Sequence, residues 1–169
     1  AAGTTFTDAS AIAIAETLPN HAAMMTGVRP SRNGVPANVI FDQAEGETRD
    51  LDRPTDLWAP TMLDRIRDEL GFVTASVLSK EYLHGLFGTR ASVVWEPAPL
   101  MPGTEHAPDI FTMDALIRTV EDHAPRFTFT NLGDVDRVGH IDLSGVSLRI
   151  ARHAALRNTD RQVERFVSF

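Results

Sequence analysis

Helical and strand-like segments alternate along this chain, and that alternation limits its fold more than any other feature of the sequence. Apolar residues at helical spacing predict helices over residues 18–26, 61–70, 109–122 and 147–167. Between and beside them, strands are predicted over residues 38–41, 72–78, 93–95 and 127–132, which are rich in β-branched and aromatic residues. A helix followed by Gly71 and then a strand is half of a βαβ unit. We therefore expect an α/β layer structure, with residues 1–169 forming one domain.

The remaining segments are rich in turn-forming or charged residues. A short strand or extended entry is predicted over residues 3–7, which contain three threonines. Loops are predicted over residues 28–36, 42–56 and 97–108, and the last of these contains four prolines. A tight loop is expected after the strand at 127–132, where glycine gives the backbone freedom to turn.

Composition excludes several classes of function. The chain has 169 residues, 43% of them hydrophobic, and it contains no cysteine. Disulfides, thiolate catalysis and cysteine-type zinc sites are therefore excluded, and any metal must be held by histidine and carboxylate. No apolar run reaches the roughly 18 residues that a membrane span needs. A net charge of −7 argues against non-specific nucleic-acid binding, although a bound metal would still allow a phosphate substrate.

Two short stretches carry side chains with catalytic potential. Thr17 stands where a helix begins, and the unpaired N–H groups of a helix start attract anions such as phosphate. An ordinary capped helix is the alternative for this stretch. Asp136 and His140 lie four residues apart, just beyond a predicted strand, and could supply two ligands to a zinc-type site. The alternative is a loop aspartate capping a turn beside a solvent-facing histidine.

Three sequence segments together resemble one protein family. They are T-L-P-N-H-A-A-M-M-T-G-V-R-P-S-R-N-G-V at residues 17–35, A-N-V-I-F-D at 37–42 and D-V-D-R-V-G-H at 134–140, with S-K-E-Y-L at 79–83 between them. In order and spacing they resemble the alkaline phosphatase superfamily, and within it the type I phosphodiesterase/nucleotide pyrophosphatase branch. The resemblance implies an alkaline-phosphatase-like sandwich, a mostly parallel sheet between helices. It also implies that this chain is the central part of the catalytic domain, incomplete at both ends.

The resemblance assigns roles to particular residues. Thr17 matches a metal-bound nucleophile that takes the phosphoryl group, and Asn38 matches an asparagine that hydrogen-bonds a phosphate oxygen. Asp136 and His140 match two ligands of one of a pair of divalent metal ions, with zinc the expected metal. His21 is expected to be structural, buried and hydrogen-bonded. Lys80 could approach the substrate or lie on the surface, and both alternatives stay open.

Two departures from the family pattern stand out. Asn33 replaces the usual histidine before Gly34, which is expected to change a loop hydrogen bond. The family also needs an aspartate on a strand upstream of Thr17, and an Asp-His pair with a further histidine downstream. Asp8 has the wrong context for the first of these. His153 and Asp160 on the closing helix are expected to be surface or packing residues, so several metal ligands are expected outside this chain.

The resemblance implies a metal-dependent hydrolase of small-molecule phosphodiesters or nucleotide pyrophosphates, acting through a phosphorylated threonine. Because the metal ligand set is partial, a non-catalytic fragment or structural core is the alternative. Sulfatase or phosphomutase chemistry is a weaker match, since the chain has no cysteine and carries threonine at the nucleophile position. Members of the family are often exported, so the resemblance suggests a secreted or periplasmic protein.

Overall fold

Seven α-helices and five β-strands are seen in residues 4, 6–141 and 144–169, the part of the chain that the computed structural model describes. The helices are α1 (Thr17–Thr26), α2 (Pro30–Asn33), α3 (Met62–Asp68), α4 (Glu81–Phe87), α5 (Asp109–His123), α6 (Asp134–Gly139) and α7 (Gly145–Val167). The strands are β1 (Val39–Asp42), β2 (Glu47–Asp50), β3 (Thr74–Leu78), β4 (Val93–Trp95) and β5 (Phe127–Asn131).

The main sheet has three strands in the order β4-β3-β5, and both pairings are parallel. β3 is the central strand and all five of its residues are buried. Ala75 pairs with Val93 on one side and with Thr128 on the other. Both faces of this parallel strand are covered, so its polar residues Thr74 and Ser76 are buried together with Ala75, Val77 and Leu78. The predicted α/β class is confirmed.

Helices cover both faces of this sheet. On one face, Leu18 of α1, Leu63 of α3 and Phe87 of α4 form a buried cluster with Phe129 of β5. On the other face, Met113 and Leu116 of α5 pack with Val77 of β3, and Phe166 of α7 packs against this second cluster. A sheet with helices on each side is the predicted sandwich.

The prediction of a surface loop over residues 42–56 is wrong. β1 and β2 form an antiparallel hairpin there, and Pro54–Asp56 forms a 3-10 turn. The Arg49 guanidinium holds the hairpin by binding Asp42 at 2.9 Å and Asp56 at 2.7 Å. β2 contains no apolar residue, so its sequence resembles that of a solvated loop, whereas Ile40 of β1 packs against the core.

Other predictions need smaller corrections. The short helix α2 interrupts the predicted loop over residues 28–36, and α6 takes the place of the tight loop after β5. The predicted strand or extended entry at 3–7 falls partly outside the described residues, and residues 4, 6 and 7 lie in no strand. The described helices contain none long and apolar enough to cross a membrane.

The closing helix α7 packs less closely than its sequence predicts. The sequence predicts packing by the apolar residues of this helix, which include Ile150, Ala155 and Val163. Ala155 is buried, but Ile150 and Val163 are exposed. His153 and Asp160 are also exposed, as expected for surface residues.

Candidate active site

One cavity brings together four of the predicted site residues. Its volume is about 750 Å³, and Thr17, Asn38, Asp136 and His140 all line it. The other lining residues are Tyr82, Gly103, Thr104, Glu105, His106, Arg137 and Ile141. Residues from the start of α1, from α4 after β3 and from α6 after β5 therefore share one opening. It lies at the carboxyl ends of the parallel strands, where α/β folds place their sites.

Thr17 is the first residue of α1 and lines the cavity, and Asn38 caps the helix start beside it. Glu16 precedes it with extended backbone and makes no side-chain cap hydrogen bond. The backbone N–H of Leu18 instead donates to Oδ1 of Asn38 at 2.8 Å, and the Asn38 N–H donates to Oε2 of Glu16 at 2.5 Å. Asn38 is thus bound beside Thr17, and its Nδ2 amide donates to no acceptor among the residues that the structure describes.

His21 supports the first turn of α1. Its Nδ1 lies 2.8 Å from the Thr17 carbonyl oxygen, and its ring centroid lies 6.1 Å from that of Phe129 on β5. Burial lowers the pKa of His21, although the hydrogen bond to Thr17 opposes this. By donating from Nδ1 to the Thr17 carbonyl, His21 braces the backbone that carries the predicted nucleophile.

Asp136 and His140 lie one helical turn apart, at α6 and its C-terminal cap. Because residues four apart share a helix face, their side chains approach each other, with Oδ1 of Asp136 3.7 Å from Nε2 of His140. The His140 side chain is 80% exposed and that of Asp136 is 42% exposed. Both groups are open to the cavity.

Lys80 does not lie on the surface. Its side chain is 3% exposed, and its Nζ donates to Oδ2 of Asp136 at 2.6 Å. The same ammonium lies 5.4 Å from the Tyr82 ring centroid. Burial alone would lower the pKa of Lys80, but the hydrogen bond with Asp136 and the nearby Tyr82 outweigh burial and raise it. Burial would raise the pKa of Asp136, and Lys80 outweighs that effect and lowers it.

Tyr82 and His106 form an aromatic wall of the cavity, with ring centroids 6.3 Å apart. The proline-rich loop is fixed over the end of β3, because Glu81 N–H donates to the Glu105 carbonyl at 2.9 Å and Ala107 N–H to the Ser79 carbonyl at 2.8 Å. Burial, reinforced by the Lys80 charge, lowers the pKa of His106. Sequence reasoning did not find this wall, since the prolines mark a loop without indicating where it folds back.

Asn33, at the departure from the family pattern, forms hydrogen bonds within its own loop. It is fully buried, its Nδ2 donates to the Val28 carbonyl at 3.0 Å, and its Oδ1 accepts from Val35 N–H at 3.0 Å.

The residues present fit part of a metal site. Asp136 and His140 offer oxygen and nitrogen donors, and their separation of 3.7 Å is shorter than two zinc–ligand bonds of about 2.0–2.2 Å each. One ion can therefore reach both. A catalytic zinc takes about three protein ligands, and the described residues contain no group of three or more histidine, aspartate or glutamate side chains placed to hold one.

Comparison with known proteins defines first the fold and then the family. The fold resembles phosphonoacetate hydrolase from Sinorhizobium meliloti 1021 in complex with phosphonoformate (TM-score 0.56, 22% identity, 87% of this chain and 42% of that chain). It also resembles murine ectonucleotide pyrophosphatase/phosphodiesterase 5, with a TM-score of 0.62 and 14% identity over 90% of this chain and 41% of that chain. The inactive Thr-to-Ala form of that protein, in complex with AMP, matches with a TM-score of 0.59 and 14% identity over 87% of this chain and 40% of that chain. At these identities the likeness shows the fold alone.

The whole chain, residues 1–169, matches the model of the family described as type I phosphodiesterase/nucleotide pyrophosphatase. The chain belongs to this family. It covers less than half of each of the three solved structures above. No match to a curated protein was found.

Proposed function

We propose that this chain is the central part of a catalytic domain that hydrolyses phosphate esters, with phosphodiesters or nucleotide pyrophosphates as substrates. The observation that carries the proposal is the single cavity lined by Thr17, Asn38, Asp136 and His140. A hydroxyl, an amide donor and a carboxylate–imidazole pair are the groups that phosphoryl transfer through a covalent intermediate requires. Membership of the phosphodiesterase family supports the reaction class.

Thr17 is the proposed nucleophile. Its Oγ attacks phosphorus, the bond from phosphorus to the leaving oxygen breaks, and the hydroxyl proton is released. Water then attacks the phosphothreonine, which frees the phosphate product and restores the hydroxyl. The N-terminal end of α1 favours the negative charge of the phosphoryl group, and Asn38 Nδ2 donates to one of its oxygens.

Two divalent metal ions, with zinc the expected metal, are proposed as cofactors, and Asp136 and His140 would hold one of them. A bound ion of this kind supplies Lewis-acid stabilisation of charge on phosphate oxygens. The remaining ligands are proposed to lie outside the described residues. We also propose that Lys80 attracts the anionic substrate, because its buried ammonium lies beneath the cavity through its bond with Asp136.

The murine relative supports the choice of nucleophile. Its inactive form carries a threonine-to-alanine substitution and was solved in complex with AMP. A threonine is therefore required for activity in that protein, and Thr17 is the threonine that begins a helix at the cavity here.

A non-catalytic structural core is the second candidate function. It is favoured by one observation, that the described residues hold two metal donors and no group of three. Under this candidate the protein would hydrolyse no phosphate ester, whatever metal is supplied.

The test is hydrolysis of p-nitrophenyl phosphate esters by the full-length protein with zinc, comparing Thr17→Ala with Thr17→Ser. Loss of the nucleophile should reduce kcat by about 10³-fold or more, whereas serine retains a hydroxyl and measurable turnover. Thr26→Ala, at the other end of α1, is the matched control, since the Thr26 hydroxyl donates to the Ala22 carbonyl. Undiminished hydrolysis by Thr17→Ala would contradict the proposal, and no hydrolysis by the wild type would favour the second candidate.

A further inference from the structure

A buried polar junction joins α5, α6 and α7 behind the cavity. It consists of Asp109 at the start of α5, Asp134 at the start of α6, and Asn158 and Thr159 on α7. Asp109 is completely buried and Asp134 is 7% exposed. The Asp134 N–H donates to Asp109 Oδ1 at 3.0 Å, and Thr159 Oγ1 donates to Asp109 Oδ2 at 2.5 Å. Asn158 Nδ2 donates to Asp134 Oδ2 at 2.9 Å.

The sequence of α6 explains why a cap must come from another element. Its N-cap residue is Gly133, which has no side chain to accept from the first N–H groups. A larger residue there would displace Ser79, because a Cβ on Gly133 would lie 2.7 Å from Ser79 Oγ, which donates to Asn131 Oδ1 at 2.8 Å. Asp109 supplies the missing acceptor, and its negative charge lies at the favourable end of the helix.

Burial of the Asp109 carboxylate costs free energy of folding, which its hydrogen bonds to the start of α6 and to Thr159 must offset. Burial raises the pKa of Asp109, against the opposing hydrogen bonds from Thr159 and from the start of α6. Apolar residues of similar volume can replace buried charged groups without loss of stability in many proteins. A fully bonded polar junction instead fixes one arrangement of the three helices.

The junction lies two residues from the proposed ligand pair. α6 is six residues long, too short to be stable by its own hydrogen bonds, so tertiary contacts determine its orientation. We propose that Asp109 is a positioning residue: it caps α6 from α5, is held by Thr159 of α7, and thereby aims Asp136 and His140 into the cavity. This inference rests on the proposed function, which assigns those two residues to a metal.

The test measures both the cap and its consequence. Amide hydrogen exchange of Asp134 reports the cap, and calorimetric titration with zinc reports the ligand pair. Asp109→Ala should raise the exchange rate of the Asp134 amide about fivefold and weaken zinc binding about tenfold, as loss of a residue behind a metal ligand does elsewhere. Thr159→Val should shift both quantities in the same direction.

Conservative variants separate positioning from packing. Asp109→Asn keeps an acceptor for the Asp134 N–H, and Thr159→Ser keeps the hydroxyl, so both should behave like the wild type. Thr119→Val, a buried change on α5 outside the junction, is the matched control and should leave zinc affinity unchanged.

Unchanged exchange and zinc affinity in Asp109→Ala, or an equal loss in Thr119→Val, would overturn the proposal. If Asp109→Ala fails to fold, the same two quantities, Asp134 amide exchange and zinc affinity, are compared between Thr159→Val and the control Thr119→Val. If the wild-type protein binds no zinc, the metal assignment of the proposed function fails. The positioning role is tested separately by the Asp134 amide, and an exchange rate in Thr159→Val equal to that of the wild type would overturn it.

Discussion

At the scale of single residues, the ion pair between Lys80 and Asp136 is asymmetric, because the lysine side chain is far more buried than the aspartate side chain. The Lys80 side chain is 3% exposed, whereas that of Asp136 is 42% exposed. The Asp136 carboxylate faces the cavity, so water can hydrate it when Lys80 is removed. A buried ammonium cannot be hydrated, so the cost of breaking the pair depends on which residue is removed.

This asymmetry gives a prediction for stability. Asp136→Ala should lower the free energy of unfolding by about 3–5 kcal/mol, the usual cost of leaving a buried charge unpaired. Lys80→Met should cost about 1 kcal/mol or less, near the value of an exposed pair. Urea unfolding at pH 7 measures both values. A loss in Lys80→Met that equals or exceeds that in Asp136→Ala would contradict this account of the pair.

At the scale of secondary-structure elements, α3 is fixed by a reciprocal cap. Thr61 N–H donates to Asp64 Oδ2 at 2.7 Å, and Asp64 N–H donates to Thr61 Oγ1 at 3.3 Å. Arg90 also donates to Asp64 Oδ2 at 2.8 Å. Burial would raise the pKa of Asp64, but the bonds from Thr61 and Arg90 outweigh burial and lower it below its ordinary value of 3.8.

The lowered pKa sets the pH range over which this cap stabilises the fold. The Asp64 carboxylate contributes fully above its unfolded pKa of 3.8, and the contribution is lost as the pH falls through the lower folded-state value. Asp64→Asn should therefore lower unfolding free energy by about 1 kcal/mol at pH 7. The difference from wild type should shrink below pH 3.8. Urea unfolding across that range measures it, and a difference that grows on acidification would contradict the prediction.

Most elements could be predicted from sequence because their signals are local. α1 ends at Gly27, which adopts the left-handed conformation with φ of 71°, and β3 is a continuous buried run. The sequence predicts β1 as a strand over residues 38–41 but not β2, whose residues Glu47–Asp50 are polar and whose Arg49 is held by ion pairs with Asp42 and Asp56. The strand order β4-β3-β5 has no local signal at all.

In the candidate site, too, some features are predicted by the sequence and others are not. Thr17, Asn38, Asp136 and His140 were expected to act together, and the structure places all four around one cavity. The burial of Lys80 depends on Asp136, 56 residues away, and the wall formed by Tyr82 and His106 depends on a loop that folds back over β3. Contacts between distant segments decide such features, and no pattern within one segment encodes them.

At the scale of the whole molecule, the parallel sheet gathers the candidate site. β3 and β5 end at the same edge, where Lys80 follows one strand and α6 follows the other. α1 packs on one face of the sheet through Leu18, which places Thr17 at that edge. The fold therefore accounts for the meeting of residues from the beginning, middle and end of the sequence.

The central claim is that Thr17 takes the phosphoryl group. The most direct measurement is mass spectrometry of the full-length protein, rapidly quenched in acid during turnover of bis-p-nitrophenyl phosphate. The account predicts a covalent p-nitrophenyl phosphoryl adduct on the peptide that contains Thr17. Thr17→Ala should show no adduct, and Thr26→Ala should show as much as the wild type. Continued turnover with no adduct at Thr17, or with an adduct on another residue, would contradict the account.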